Sequence, residues 1–267
     1  MKLIQMSIKG KSSNLQKIVF EIRYLQGFVY LDKCGRTINE ILEAYPEWVV
    51  KNIPDAQATG LTSLVNGCQF NFSSLKMDFS MEQGIGGTEV RSDELEHFIK
   101  QIEFVSTLVM ESLDLKKFTR VGVRTWNIFP CTSELESKEW IQNLGLFIAP
   151  SNLLNAFNGT LDTVSITAVI KGEDRNFRIE IGAVERQAQF DAGQEILSIK
   201  ASAQPKNQKD ILVKQMKAKR RMFANPEFAS LIDIDTFQEF PIIIKPRDFI
   251  ESSIQKAEEG LVAAFNS

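Results

Sequence analysis

Arg120 and Arg124 stand four residues apart in a stretch, Phe118 to Pro130, that reads as one long strand near the middle of the chain. Alternate strand residues face opposite sides, so both arginines share a face with Phe118, Trp126 and Ile128, with the bare Gly122 between them. Val121, Val123 and Phe129 take the other face, and Pro130, which has no ladder donor, is the expected stop. Guanidinium groups suit bidentate contact with carboxylate or phosphate, so the pair could clamp an anion. Asp233 and Asp235 alternate on a later stretch, and Glu21 and Glu180 lie on two others. The competing expectation is that the arginines pair with these carboxylates across a sheet, as a satisfied polar layer.

A second group is Lys214, Lys217, Lys219, Arg220 and Arg221, a basic run with no acid inside it. On a helix Lys214, Lys217 and Arg221 would share a face and could grip phosphates, or simply be solvated. Only Phe223 accompanies them, so stacking on bases has little support. Gly84-Ile85-Gly86-Gly87 lacks the ending of a phosphate-binding loop and the full dinucleotide spacing, and reads as a connection. His97 is the single histidine, placed on the exposed side of a helix, and cannot alone build a zinc site or a triad. Asp233 and Asp235 have no obvious third ligand for magnesium. No catalytic residue, metal or cofactor is expected, and an enzyme is the less favoured class.

The elements that must carry these residues alternate in period. Lys17 to Tyr24 is a half-buried strand with Ile18, Phe20, Ile22 and Tyr24 inward. Thr37-Ile38-Asn39-Glu40 has the form of a capping box opening a short helix that ends at Pro46. Phe70 and Phe72, then Met77, Phe79 and Met81, form a hairpin around Ser73-Ser74. Ser92 is expected to cap a long helix carrying Leu95, Phe98, Ile99, Ile102, Val105, Val109 and Leu113. Ser133 and Glu136 open a helix with Trp140, Ile141, Leu144 and Phe147 on its apolar side. Strands are expected over 160–171 and 176–184, with Gly172-Glu173-Asp174 as their turn, and again over 194–203 and 231–237. A last amphipathic helix starts at Asp248, with Glu251 completing its box, and continues through Ile250, Ile254, Ala257, Leu261 and Phe265.

Read in order, residues 1–116 and 117–267 each run strand, helix, strands, helix. The expected fold is α+β, built of two similar halves, each a curved antiparallel sheet with a short helix and a long amphipathic helix. With 267 residues, 43% of them hydrophobic, and a formal net charge of −3, the chain has a substantial core and no global pull toward nucleic acid or membrane. No signal-peptide pattern opens it and no apolar run reaches membrane-spanning length, so the expected location is cytoplasmic. Cys34, Cys68 and Cys131, odd in number and widely spaced, suit reduced thiols.

Three stretches, Lys17-Ile18-Val19-Phe20-Glu21-Ile22-Arg23-Tyr24, Arg120-Val121-Gly122-Val123-Arg124 and Ile232-Asp233-Ile234-Asp235 ahead of a terminal helix, are similar in order and spacing to a known pattern. The chain resembles a sporadically distributed family of uncharacterised prokaryotic proteins of similar length. That family usually reads arginine-tyrosine-x-asparagine where this chain has Arg124-Thr125-Trp126-Asn127, so the aromatic moves to the other side of the sheet. The resemblance implies no activity or cofactor; the family's patchy distribution implies an accessory component of a mobile system for defence, antiviral defence included, or for toxin control. The expected function is non-enzymatic recognition of another protein. The alternatives are nucleic-acid binding through Lys214 to Arg221, and a phosphate-bearing ligand held by Arg120 and Arg124. A homodimer is compatible with each.

Overall fold

The computed structural model describes residues 6–25, 27–52, 58–63, 68–82, 90–185 and 228–266. A two-stranded hairpin, β1 (Ser7–Ile8) and β2 (Lys11–Ser12), precedes the main sheet. Lys9 and Gly10 both have positive φ between the two strands, the geometry of a tight hairpin turn. The main sheet holds β3 (Asn14–Tyr24), β4 (Trp48–Asn52), β5 (Thr59–Ser63), β6 (Gln69–Phe72), β7 (Lys76–Glu82), β8 (Phe118–Cys131), β9 (Ile166–Lys171), β10 (Asn176–Glu185) and β11 (Phe228–Glu239). The described helices are α1 (Tyr30–Ala44), α2 (Ser92–Ser112), α3 (Glu134–Asn143), α4 (Ser151–Ala156) and α5 (Pro246–Asn266).

The fold is α+β. Its nine strands run in the order β4-β5-β6-β7-β3-β8-β11-β10-β9, with every neighbouring pair antiparallel. The sheets expected in the two halves, whose joining the sequence left open, are continuous as one. Residues 1–116 supply β4 to β7 and β3, residues 117–267 supply β8 to β11, and β3 and β8 join the two parts at the centre. In each part the strand that comes first in the chain is innermost, and the later strands meander back to pair with it.

One sheet face is covered. Ile18, Phe20, Ile22 and Tyr24 of β3, Met77, Phe79 and Met81 of β7, and Val121 and Val123 of β8 are buried with Leu95, Phe98, Ile99, Ile102, Val105 and Val109 of α2. Each such apolar side chain, once buried, stabilises by roughly 1.5–3 kcal/mol before entropy is set against it. A second cluster holds Phe129, Trp140, Ile141, Leu144, Ile181, Ile232 and Ile234. Helix α5 serves both: Phe249, Ile250 and Ile254 enter the first cluster, Ala257, Leu261 and Phe265 the second. Arg247 locks its start to α2, donating to Glu103 at 2.9 Å and Glu96 at 3.0 Å. The terminal helix of the second half thus completes the core of the first.

Several helix starts differ from the sequence expectation. Helix α1 begins at Tyr30, well before the Thr37 box, because Tyr30, Ile38 and Ile41 bury together. Thr37 lies mid-helix and its hydroxyl donates back to the Lys33 carbonyl at 3.1 Å. In α2 the cap falls one residue earlier than Ser92: the Arg91 N–H donates to the Glu94 carboxylate at 3.0 Å. Ser133 caps α3 as expected, accepting from the Glu136 N–H at 3.1 Å, whereas the Glu136 carboxylate turns to the Thr132 N–H and hydroxyl. Helix α5 opens at Pro246 rather than Asp248, a proline being suited to a position whose N–H has no helical partner. Pro130 does not stop β8, which continues to Cys131; Pro130 still pairs with Ala229. The strand expected over 160–171 is shorter, 166–171, and those over 194–203 and the Gly84 to Gly87 connection lie outside the described residues. Strands β1, β2, β4 and β5 and helix α4 had no sequence expectation.

Candidate functional site

The sheet face against which no described helix packs carries the arginines, and the register explains what they meet. On β8, Gly122 lies opposite Glu21 of β3 and Phe237 of β11. Arg124 lies opposite Val19 and Asp235, and Trp126 opposite Lys17 and Asp233. Arg124 leans one row along β8 to reach Asp233, and Arg120 leans one row to reach Glu21 and two to reach Asp235. Arg120 passes over Gly122, where a Cβ would sit 3.2 Å from its guanidinium, and donates to Glu21 at 2.5 Å and to both Asp235 oxygens at 2.7 and 2.6 Å. Its guanidinium carbon also lies 4.8 Å from the centre of the Phe237 ring. Arg124 forks onto Asp233, its Nε at 2.8 Å from one oxygen and its terminal nitrogen at 2.5 Å from the other.

This layer extends sideways. Arg23 donates to Glu21 at 2.8 Å, Lys76 lies 3.2 Å from Asp78, and Asn71 donates to Asp78 at 3.0 Å. Lys17 donates to Glu82 at 2.9 Å while its ammonium sits 4.5 Å from the centre of the Trp126 ring. Arg178 and Glu180 pair along β10. Burial alone would raise the Glu21 carboxyl, but the hydrogen bond from Arg23 and the charges of Arg23, Arg120 and Lys76 hold it below its ordinary value. Asp235 is pushed up: burial outweighs Arg120 and Arg124, and the Glu21 charge adds to it. The hydrogen bond to Asp233 raises Arg124, though burial works against it. Every cation named here faces a carboxylate, so the face neutralises itself and directs little positive field at an incoming phosphate.

Arg120, Arg124, Asp233, Asp235 and Glu21 are thus brought together as the sequence pattern allows, and the arginines occur in the carboxylate-paired arrangement. Glu180 belongs to the same face but bonds Arg178. His97 is exposed on α2. Lys214, Lys217, Lys219, Arg220 and Arg221 lie outside the described residues. Among the described residues no group of three or more histidine, cysteine or acidic side chains has the geometry of a metal site, and no disulfide joins Cys34, Cys68 and Cys131. No described helix is long and apolar enough to cross a membrane.

Sequence reasoning missed the end of the sheet beside Arg120. There the Leu25 N–H bonds Lys117, the Tyr24 N–H bonds Leu75, and the Phe240 N–H bonds Thr119 at 3.0 Å, so these four chain ends lie side by side. Leu25, Phe28 and Leu75 are exposed there, and beyond β11 Phe240 is 72%, Ile242 91% and Ile243 74% exposed. Phe240 moreover has φ +51°, a left-handed conformation that is uncommon for a bulky side chain. The available signal was the unpatterned run Phe240-Pro241-Ile242-Ile243-Ile244, too short for a helix period and closed to a strand by its proline. Set against family models, curated proteins and solved structures, the chain matches none.

Proposed function

We propose that this chain is a non-enzymatic adaptor that recognises another protein through the sheet end formed by Leu25, Phe28, Leu75, Phe240, Ile242 and Ile243. The observation that carries the reading is Phe240. A left-handed phenylalanine costs on the order of 1–3 kcal/mol, and this one is spent pushing its ring into water beside two exposed isoleucines. Gathered apolar side chains next to a polar rim are the common form of a protein-binding surface. The paired state of Arg120 and Arg124 weighs against a phosphate-bearing ligand on the open face, since such a ligand would have to displace Glu21, Asp235 or Asp233. Nucleic-acid binding through Lys214 to Arg221 rests on the charge pattern alone. The matching order of elements in the two halves supports an internal duplication, and the resemblance to the sporadic prokaryotic family supports a role as an accessory of a mobile defence or toxin-control system in the cytoplasm.

The test is affinity capture of the tagged chain from its native cell, with and without nuclease, beside an Ile242→Asp, Ile243→Asp double variant. A stoichiometric protein that survives nuclease and is lost from the variant is the expected result. Recovery of nucleic acid, with protein partners lost on nuclease treatment, overturns it in favour of the basic run.

A further inference from the structure

The two outer strands of the sheet are not alike. On the β4 side the pairing is broken by a register shift between Val50 and Asn52, and Lys51 follows the exposed valines, features that discourage addition of another strand. Strand β9 on the other side reads Ile-Thr-Ala-Val-Ile-Lys, pairs with β10 without a register shift and holds no charge before its last residue. Val169 is 61% and Ile170 51% exposed.

The direction of its free backbone groups follows from the turn. The Gly172 N–H donates to the Arg175 carbonyl at 2.9 Å, which makes Gly172 and Arg175 a hydrogen-bonded pair. Hydrogen-bonded and open pairs alternate along an antiparallel ladder, so Ile170, Ala168 and Ile166 bond β10. Thr167, Val169 and Lys171 therefore turn their N–H and C=O groups outward, and among the described residues no backbone bond occupies them.

We propose that β9 pairs antiparallel with β9 of a second copy, about a two-fold axis through Val169, so that the two nine-stranded sheets become one. Such an axis keeps each sheet face continuous only if residues of the same parity meet. Centred on Val169, it sets Val169 against the second copy's Val169, and Thr167 against the second copy's Lys171, and each of these residues presents outward groups. An axis through Ala168 would also bring outward groups together, Thr167 facing the second copy's Val169, but it would carry Lys171 past the end of the second copy's strand and away from its Glu180, and one through Lys171 would oppose two ammonium groups. On the covered side the same register sets Ile170 against the second copy's Ala168. Charge agrees as well: Glu180 lies in the row of Thr167, so the second copy's Lys171 stands two strand spacings away, about 10 Å, within the combined reach of the two side chains. The pairing is independent of the apolar end at Phe240.

Sedimentation equilibrium of the full chain across a concentration series tests it. The native chain is expected to dimerise reversibly. Val169→Lys, which opposes two like charges at an exposed position, should weaken dimerisation at least tenfold without changing the thermal unfolding of the monomer. Val169→Pro, which removes only an outward N–H, should do the same, and if it fails to fold the lysine variant decides. Val50→Lys on the opposite edge should leave the dimer unchanged. A native chain that stays monomeric, a dimer indifferent to Val169→Lys, or one broken instead by Val50→Lys overturns the proposal; a foreign strand seated on β9 of a monomeric chain would do so too.

Discussion

Strand β8 is held on its two sides by two kinds of interaction. Toward the helices, Val121, Val123 and Phe129 sit in apolar clusters whose attraction depends on area and shape, not on direction. Toward solvent, Arg120 and Arg124 are fixed by named carboxylates, and each pair has value only while both members remain. The difference predicts different failures: the covered side loses stability in proportion to what is removed, whereas the open side loses most when one member of a pair is left alone. The two sides should also part company in their response to pH.

Arg120→Ala should break the open side most severely. It leaves Glu21 and Asp235 near one another, both largely buried, without their shared cation. The expected cost at pH 7 is about 2–4 kcal/mol, the value for a broken buried pair reduced for partial exposure. In the native chain the lowered Glu21 carboxyl contributes stability present above its unfolded pKa and lost as pH falls through its folded one, while the raised Asp235 acts in the opposite sense. Without Arg120 both carboxyls rise from where they stand in the native chain, Asp235 further above its ordinary value and Glu21 less far below it because Arg23 and Lys76 still face it, so the deficit should be smaller at pH 4 than at pH 7. Urea unfolding at the two pH values reads both quantities; a deficit equal at both would place the loss in packing rather than charge.

The covered side holds one exception to its own rule. Glu258 of α5 is buried, and burial, with the neighbouring Glu259 charge adding to it, pushes its carboxyl up to about 8. A folded-state value raised above the unfolded one means that the native chain loses stability as pH rises from about 4.5 to about 8 and then levels off. Glu258→Gln keeps the shape without the charge. It should match the native chain near pH 4 and exceed it by about 1–3 kcal/mol at pH 8, read as a melting difference that opens across that window. A difference constant with pH would show that Glu258 does not titrate against the fold.

How much of this was legible in the sequence follows the same division. Buried faces have a period, so Ile18 to Tyr24, the α2 residues Leu95 to Val109 and the α5 residues Ile250 to Phe265 were all assigned inward from spacing alone. Polar pairs have only a parity: it put Arg120 and Arg124 on one face and supplied Glu21, Asp233 and Asp235 as candidates, but not the two-row lean that joins Arg120 to Asp235 instead of its own neighbour Glu239. Helix starts were read from local caps, and at Thr37 burial of Tyr30 overrode the cap. The apolar end at Phe240 had no period, because side chains that face water obey none.

Gly122 offers the smallest effect and the sharpest test of the open side. Its missing side chain is the space Arg120 lies across, and a Cβ there would stand 3.2 Å from three guanidinium atoms, so the arginine must shift by a few tenths of an ångström. Against this, replacing a glycine within a strand removes freedom from the unfolded chain and stabilises by about 0.5–1 kcal/mol. In the native background the two effects oppose, and Gly122→Ala should cost no more than about 1 kcal/mol, because the neighbour is the flexible end of a side chain. In the Arg120→Ala background the obstacle is gone and the same substitution should stabilise by about 0.5–1 kcal/mol. The coupling between the two positions, measured by urea unfolding of all four chains, isolates the arginine's passage over the glycine from everything else on that face. A substitution with the same effect in both backgrounds would mean that Gly122 serves the backbone and not Arg120.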